Sequence, residues 1–386
     1  MNILIISRGY PSENYKTNGI FEFDQAKALV EAGHNVIYAA IDMRSFRRKR
    51  KIGFESKKKD GVQIEAINIP CGRIPKYILN AIRIYAFKKI YKRIENRYGQ
   101  PDIIHAHFIE FGYITVKGIQ HNKIPVVLTE HYSGMNQDKI NSYLTKMGFY
   151  TYEKMDKLIA VSSYLASNIK KKFNVESIVI PNIVDTSSFN FNITEKEEDL
   201  FYFLSTGNLL ENKRMDNLIL AFNNAFKENK KVNLYIYGDG PEHNKLKNMI
   251  LQYGLLDRVF LMGQVDRKEI ANKMSESDCF VLASRLETFG VAYIEAMAMG
   301  LPVISTKCGG PEEFITEKNG VLVTVDDVNE LAKVLINVYE NSSNFDRIGI
   351  SNSTKIKFSS QTIAKQLEEV YANIIHKKNK EMKKLC

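Results

Sequence analysis

Short apolar runs alternate with longer amphipathic stretches along this chain, and the runs carry isoleucine and valine at both odd and even positions. A strand exposed on one face alternates apolar and polar residues, whereas a strand covered on both faces is apolar throughout. In the first half this pattern predicts strands over 2–7, 35–40, 62–69, 102–107, 126–131, 157–162 and 177–181. Helices are expected between them, among them 21–32, which Gly33 closes. In the second half strands are predicted over 200–206, 233–237, 259–262, 279–283, 302–306 and 321–325. The helices between these cover 214–227, 242–253, 267–275, 291–299 and 328–340, and a basic helix over 361–378 ends the chain. Strands that alternate with helices build parallel α/β layers.

Between the two series, residues 190–199 turn polar and acidic and read as a linker. The expected architecture is therefore α/β, with two doubly wound domains facing each other across a cleft. Residues 1–192 form the first domain and 193–360 the second, while 361–386 form a helix able to cross back onto the first. Open α/β sheets bind ligands beyond the carboxyl ends of their strands, so both halves would offer loops to the cleft.

Composition narrows the class. The chain has 386 residues, 44% hydrophobic and 25% charged, which suffices for a core in each half. No run reaches the roughly 18 apolar residues of a membrane span. The start, MNILIISRGYPSE, has neither a basic segment nor a small-residue cleavage site, so no signal peptide is expected and the location is read as cytoplasmic. Cys71, Cys279, Cys308 and Cys386 are scattered, which supports neither a zinc ribbon nor a disulfide framework.

The net charge of +10 lies almost wholly in the first half. Two segments carry much of it, 44–59 and 76–97. Either can be simply a solvated face. In the second, Ile78, Ile82, Tyr85, Ile90 and Ile94 fall at helical spacing among basic residues. That suits an amphipathic helix resting on anionic lipid at the inner membrane face or docking an anionic acceptor.

The most specific chemical signal is E-T-F-G-V-A-Y-I-E, from Glu287 to Glu295, followed by AMAMGLPVIS. It sits between an apolar strand and a helix. Gly290 marks the helix start, where the chain turns sharply and approaches a ligand. Free N–H groups at that helix end favour a phosphate or the polar edge of a sugar. Glu295, further along the helix, would accept hydrogen bonds from ribose hydroxyls, and Glu287, in the loop, would grip a transferred sugar. On its own, an E-x7-E spacing is a capping loop and a solvated glutamate as readily as a site. The longer pattern E-T-F-G-x-x-x-x-E-A-M-A-x-G-x-P-V-I is much more specific.

Over nearly its whole length, and most densely in the second half, the sequence resembles glycosyltransferase family 4, retaining enzymes with the glycosyltransferase-B fold. The resemblance implies that Glu295 holds the nucleotide ribose and Glu287 contacts the donor sugar. The backbone at Phe289, Gly290 and Val291 would line sugar and diphosphate. The family carries G-R-x-x-x-x-K after the first strand of the second domain, where this chain reads Gly207-Asn-Leu-Leu-Glu-Asn-Lys213. Lys213 matches the lysine that grips the diphosphate. Asn208 replaces the arginine and forfeits a fixed charge, with Arg214 close by. The family's glycine pair after the first strand survives only as Asn18-Gly19, and Gly19 would offer its N–H to the diphosphate. His131, ending T-E-H, matches the strand-end histidine that contacts the donor sugar; as a bare residue it is equally a core histidine.

Further loops fit the same family. The turn at Gly238 lines the nucleotide side, the backbone around Val265 holds the base, and Cys308-Gly-Gly-Pro packs near the Glu295 helix. Each is also an ordinary turn. His105 and His107 share one strand face but lack a third metal ligand with suitable spacing, so they read as structural. No D-x-D triplet occurs, and the enzyme is expected to work without a metal or cofactor, its basic side chains and helix ends meeting the leaving diphosphate.

The expectation is thus a hexosyl-type glycosyltransferase. It would take a nucleotide diphosphate sugar, for instance a UDP-sugar, and a saccharide or lipid-linked saccharide acceptor in surface polysaccharide assembly. Anomeric configuration would be retained, by front-face attack. Three alternatives stay open at this point: a nucleotide-sugar epimerase or hydrolase of the same architecture, a basic nucleic-acid-binding protein, and a non-catalytic partner subunit. No stacking motif or recognition helix supports nucleic acid as a partner. A nicotinamide dehydrogenase is disfavoured, because no G-x-G-x-x-G follows the first strand.

Overall fold

The computed structural model describes residues 1–15, 18–45, 50–119, 124–137, 139–184, 189 and 200–385. The chain divides into two compact units: Met1–Ile183 together with Ser360–Cys386, and Val184–Ser359. The first stretch closes at Ile183, ahead of the boundary expected at 192, and the linker read at 190–199 lies outside the described residues.

In the first unit the strands are β1 Asn2–Ser7, β2 Asn35–Asp42, β3 Gly53–Lys59, β4 Val62–Asn68, β5 Ile103–His107, β6 Val126–Glu130, β7 Lys157–Ala160 and β8 Ile178–Val179. They form one sheet in the order β3-β4-β2-β1-β5-β6-β7-β8. All pairs are parallel except β3 with β4. Helices α1 Ile20–Glu31, α2 Lys76–Tyr98, α3 Ile109–Gly118, α4 Ser142–Tyr152 and α5 Ser163–Phe173 accompany them. Ile3, Leu4, Ile5 and Ile6 are all fully buried, so both faces of β1 are covered. That is why the strand is apolar without alternation.

The second unit contains β9 Phe201–Thr206, β10 Val232–Tyr237, β11 Val259–Gly263, β12 Cys279–Leu282, β13 Val303–Thr306 and β14 Gly320–Val323. Its helices are α6 Met215–Phe226, α7 His243–Gln252, α8 Arg267–Ser275, α9 Val291–Ala298, α10 Val328–Glu340 and α11 Arg347–Phe358. The strand order is β11-β10-β9-β12-β13-β14, all parallel. The order reverses between β9 and β12. In such a sheet the usual ligand position lies beyond the carboxyl ends of the two strands at the reversal.

The last helix, α12 Ser360–Leu385, belongs to the first unit. Ile363, Ala364, Leu367 and Tyr371 recur at helical spacing and share a buried cluster with Ile3, Leu29 and Tyr38. A His34–Glu368 contact of 2.7 Å and a Lys378–Asp156 pair of 2.8 Å flank that apolar stripe. No described helix is long and apolar enough to cross a membrane.

Candidate active site

In the second unit the chemistry gathers where the strand order reverses. After β9 the chain turns through Asn208, makes a short 3-10 turn over Glu211–Lys213, and enters α6 through Arg214 in the left-handed conformation. After β12 it runs through Ser284 to Glu287 and Gly290. The two loops are stitched together by the Arg285 N–H, which donates to the Asn212 carbonyl at 2.8 Å. Across that seam Lys213 Nζ lies 2.5 Å from Glu287 Oε1, and the Ser284 hydroxyl donates to the same oxygen at 2.7 Å. Both charged side chains are largely covered, 20% and 12% exposed. A cation and an anion are thus held side by side in partial shelter from water, where electrostatic interactions are stronger than in bulk solvent.

Glu287 is itself fixed at the backbone. Its N–H donates to the Cys308 carbonyl, and its carbonyl accepts from the Gly310 N–H. This ties the loop to the Cys308 turn that the sequence placed nearby. Phe289 packs its ring against Phe314 and Phe358 and is 4% exposed, so its side chain is an anchor, and its backbone lies close against Gly310. Gly290 then caps α9 at φ 96°, ψ 56°. A side chain there would be strained, and its Cβ would lie 2.8 Å from the Tyr293 ring. Val291 is the first residue of α9, and the early N–H groups of a helix have no carbonyl partner within it.

Glu295, still on α9, faces Arg267 of α8 at 2.8 Å. Arg214 is committed elsewhere: its guanidinium pairs with Asp216 at 3.1 Å and Asp326 at 2.8 Å, and donates to Asn217 at 2.6 Å. It braces the α6 entry, and its charge is already matched there. Asp326, despite its partial burial, is held below its ordinary carboxylate range by the hydrogen bond from Arg285 and the charges of Arg214 and Arg285. Asn208 is exposed and Val265 half-buried. The Gly238 N–H donates to the Gly263 carbonyl at 2.8 Å, joining the turns after β10 and β11.

In the first unit, Gly19 caps α1 at φ 67°, and a Cβ there would lie 2.2 Å from the Gly9 carbonyl oxygen. That position accepts only glycine. Glu22 below it is fully buried, its carboxyl pushed up by burial and pulled back by Arg8, 3.7 Å away. His131, just past β6, stacks on His107 with ring centres 5.2 Å apart. His107 in turn stacks on His105 at 4.6 Å. His107 Nδ1 and His131 Nε2 are 2.9 Å apart. Burial drives the His131 imidazolium down to about 3, helped by the Arg8 charge and opposed by Asn182. All three rings are neutral at physiological pH. His105 and His107 are both fully buried in β5, and their stacked rings lead to His131. Among the described residues no group of three or more His, Cys, Asp or Glu is arranged to hold a metal ion.

Several partners escape a reading by motif. Ser284 and Arg267 touch Glu287 and Glu295, while Gln25 and Tyr371 touch the histidines. Ser284 was accessible in principle, because it follows the apolar run CFVLA at the predicted strand end. Arg267, Gln25 and Tyr371 lie on distant helices, and nothing local marks them.

The chain is similar to known glycosyltransferases over most of its length. Residues 186–355 match the family described as Glycosyl transferases group 1, and residues 23–188 match Glycosyltransferase Family 4. An uncharacterized glycosyltransferase of Methanocaldococcus jannaschii, MJ1178, is 29% identical over 304 residues, 77% of this chain and 81% of the relative. The alpha-monoglucosyldiacylglycerol synthase of Acholeplasma laidlawii is 24% identical over 353 residues, 82% of this chain and 86% of that protein. Among solved structures, a sucrose-phosphate synthase from Thermosynechococcus elongatus superposes with a TM-score of 0.81 at 21% identity, covering 97% of this chain and 99% of that one. Its likeness establishes the shared glycosyltransferase-B fold.

Proposed function

Since the chain belongs to the group 1, family 4-like glycosyltransferases, we propose that it moves a hexosyl unit, with retention, from a nucleotide diphosphate sugar to a saccharide or lipid-linked saccharide acceptor. The observation that carries this reading is the Lys213–Glu287 pair at the strand-order reversal, beside the Gly290 start of α9. A diphosphate entering there meets the Lys213 ammonium and the first N–H groups of α9. Glu287, relieved of Lys213, is free to accept hydrogen bonds from sugar hydroxyls. Glu295 takes the ribose hydroxyls, and the backbone near Val265 takes the base.

The reaction breaks the bond between the anomeric carbon and the phosphate oxygen and forms one to the acceptor oxygen on the same face. The leaving phosphate oxygen takes the acceptor's proton. The charge growing on the diphosphate is what Lys213 stabilises, and a preorganised cation in a sheltered site needs no rearrangement to do so. No divalent metal enters this scheme.

For the acceptor, the support is the surface of α2. Tyr77 and Tyr85 stand 70% and 60% exposed on a helix with many lysines and arginines. Such a face suits an anionic lipid surface carrying the acceptor. The Acholeplasma relative is named for a glycolipid product, which agrees with a lipid-borne acceptor. A natural setting is surface polysaccharide assembly, with the protein cytoplasmic and peripheral on the inner membrane face. Transfer of labelled sugar to lipid extracts, with each nucleotide sugar in turn and EDTA present, tests the proposal. Release of free sugar alone would replace it with a hydrolase.

A further inference from the structure

We propose that Gln25, acting through His107, fixes the tautomer of His131 so that this ring presents an Nδ1–H donor to the sugar. The inference rests on the reading of His131 as a group that faces the donor sugar, and it assigns to Gln25 and His107 a positioning role.

The chain of contacts runs across buried, hydrogen-bonded groups of the first unit. Gln25 on α1 aims its carboxamide nitrogen at two rings, 2.9 Å from His105 Nδ1 and 3.5 Å from His107 Nε2. A carboxamide N–H can only donate, so both ring nitrogens are acceptors. The Tyr371 hydroxyl of α12 lies 2.5 Å from His105 Nδ1 and also interacts with the Gln25 carboxamide. His105 therefore carries its proton on Nε2, which donates to Thr129 Oγ1 at 2.7 Å. His107 carries its proton on Nδ1, which donates to His131 Nε2 at 2.9 Å. A neutral imidazole that accepts at Nε2 is protonated at Nδ1.

That leaves His131 Nδ1–H as the free end of the chain. The atom is buried and has no partner at hydrogen-bond geometry, although the Asn182 side chain interacts with the ring. An unsatisfied buried donor costs stability, and a sugar oxygen arriving there would satisfy it. His131 then works as a neutral hydrogen-bond donor. It cannot act as a base at Nε2, because His107 already occupies that lone pair. Gln25, His107 and His105 are 8%, 0% and 0% exposed, so no solvent exchange blurs the assignment.

The test labels the histidine ring nitrogens with ¹⁵N and reads each tautomer from two-bond proton–nitrogen correlations, with single His→Asn variants assigning the seven rings. The wild-type chain is expected to show His131 protonated at Nδ1. In Gln25→Glu, a carboxylate accepts where the carboxamide donated, so the protons move to His105 Nδ1, His107 Nε2 and His131 Nε2. With that inversion kcat should fall about a hundredfold, as when one preorganised donor is lost, while the KM for the sugar nucleotide changes far less. Gln25→Met, which neither donates nor accepts, should give mixed tautomers and an intermediate kcat, and the thermal midpoint checks the fold of both variants. His131 protonated at Nε2 in the wild type would overturn the proposal. So would an inverted Gln25→Glu chain with unchanged kcat. Correct tautomers in a chain that binds no sugar nucleotide would instead count against the functional reading and leave the relay standing.

Discussion

Lys213 and Glu287 leave different strands of the second unit and meet at 2.5 Å, where the strand order reverses. Neither residue is placed by its own sequence neighbourhood alone. The sheet order puts the two loops side by side, and the Arg285–Asn212 backbone bond holds them there. If Lys213 meets the diphosphate, Lys213→Met should lower kcat by about 100- to 1,000-fold. Glu287→Gln keeps an oxygen for Ser284 and should cost less. The double variant should lose less than the product of the single losses, since groups acting as a unit are not additive. Steady-state kinetics of all three checks this.

Gly290→Ala tests the helix start. The left-handed backbone and the Tyr293 ring both oppose a Cβ. Strain of this kind costs about 1–3 kcal/mol. A lowered unfolding midpoint should accompany weaker nucleotide binding, measurable by calorimetry on the same samples.

Asn208→Arg restores the charge that the family pattern carries. Asn208 is exposed, so the larger side chain has room. A charge-assisted bond to a diphosphate should tighten nucleoside diphosphate binding about tenfold. Unchanged affinity would mean that this loop does not approach the phosphates.

Acid and base act on the first unit with opposite signs. Burial pushes the Glu130 carboxyl up to about 7, against the pull of the Tyr132 N–H, the Tyr152 hydroxyl and the His131 N–H. Between the ordinary 4.5 and about 7 the folded chain holds a proton that the unfolded chain has released, so stability falls as pH rises through that window. The buried His105 and His131 rings shift the other way, from 6.5 to about 3, and remove stability as pH falls through that range. Glu130→Gln abolishes the first effect. Its unfolding midpoint relative to wild type should climb between pH 5 and pH 8, read by thermal melts in a buffer series.

Much of this was legible in the sequence, and the exceptions have physical causes. Strands buried on both faces announce themselves as apolar runs, and the E-x7-E helix start shows in Gly290 and its flanking runs. β3 did not show: GFESKKK looks like a charged surface stretch, yet alternate residues are half-covered against β4 in an antiparallel edge pair. Lysines suit such an edge because they discourage further strand pairing. The engagement of Arg214 was invisible for another reason. Its partner Asp326 arrives from the far end of the second unit, and proximity to Lys213 in sequence says nothing about where its charge is spent. Gln25 and Tyr371 join the histidines only through the packing of α1 and α12, which no motif encodes.

The most direct test of the account is thermal-shift binding of UDP, GDP, ADP and their common sugars with EDTA present. The account predicts a clear rise with one nucleotide, reproduced by its sugar, and lost in Glu295→Ala and Lys213→Ala. No rise with any nucleotide, or a rise that both variants retain, would contradict the placement of the sugar donor at the Lys213–Glu287 pair.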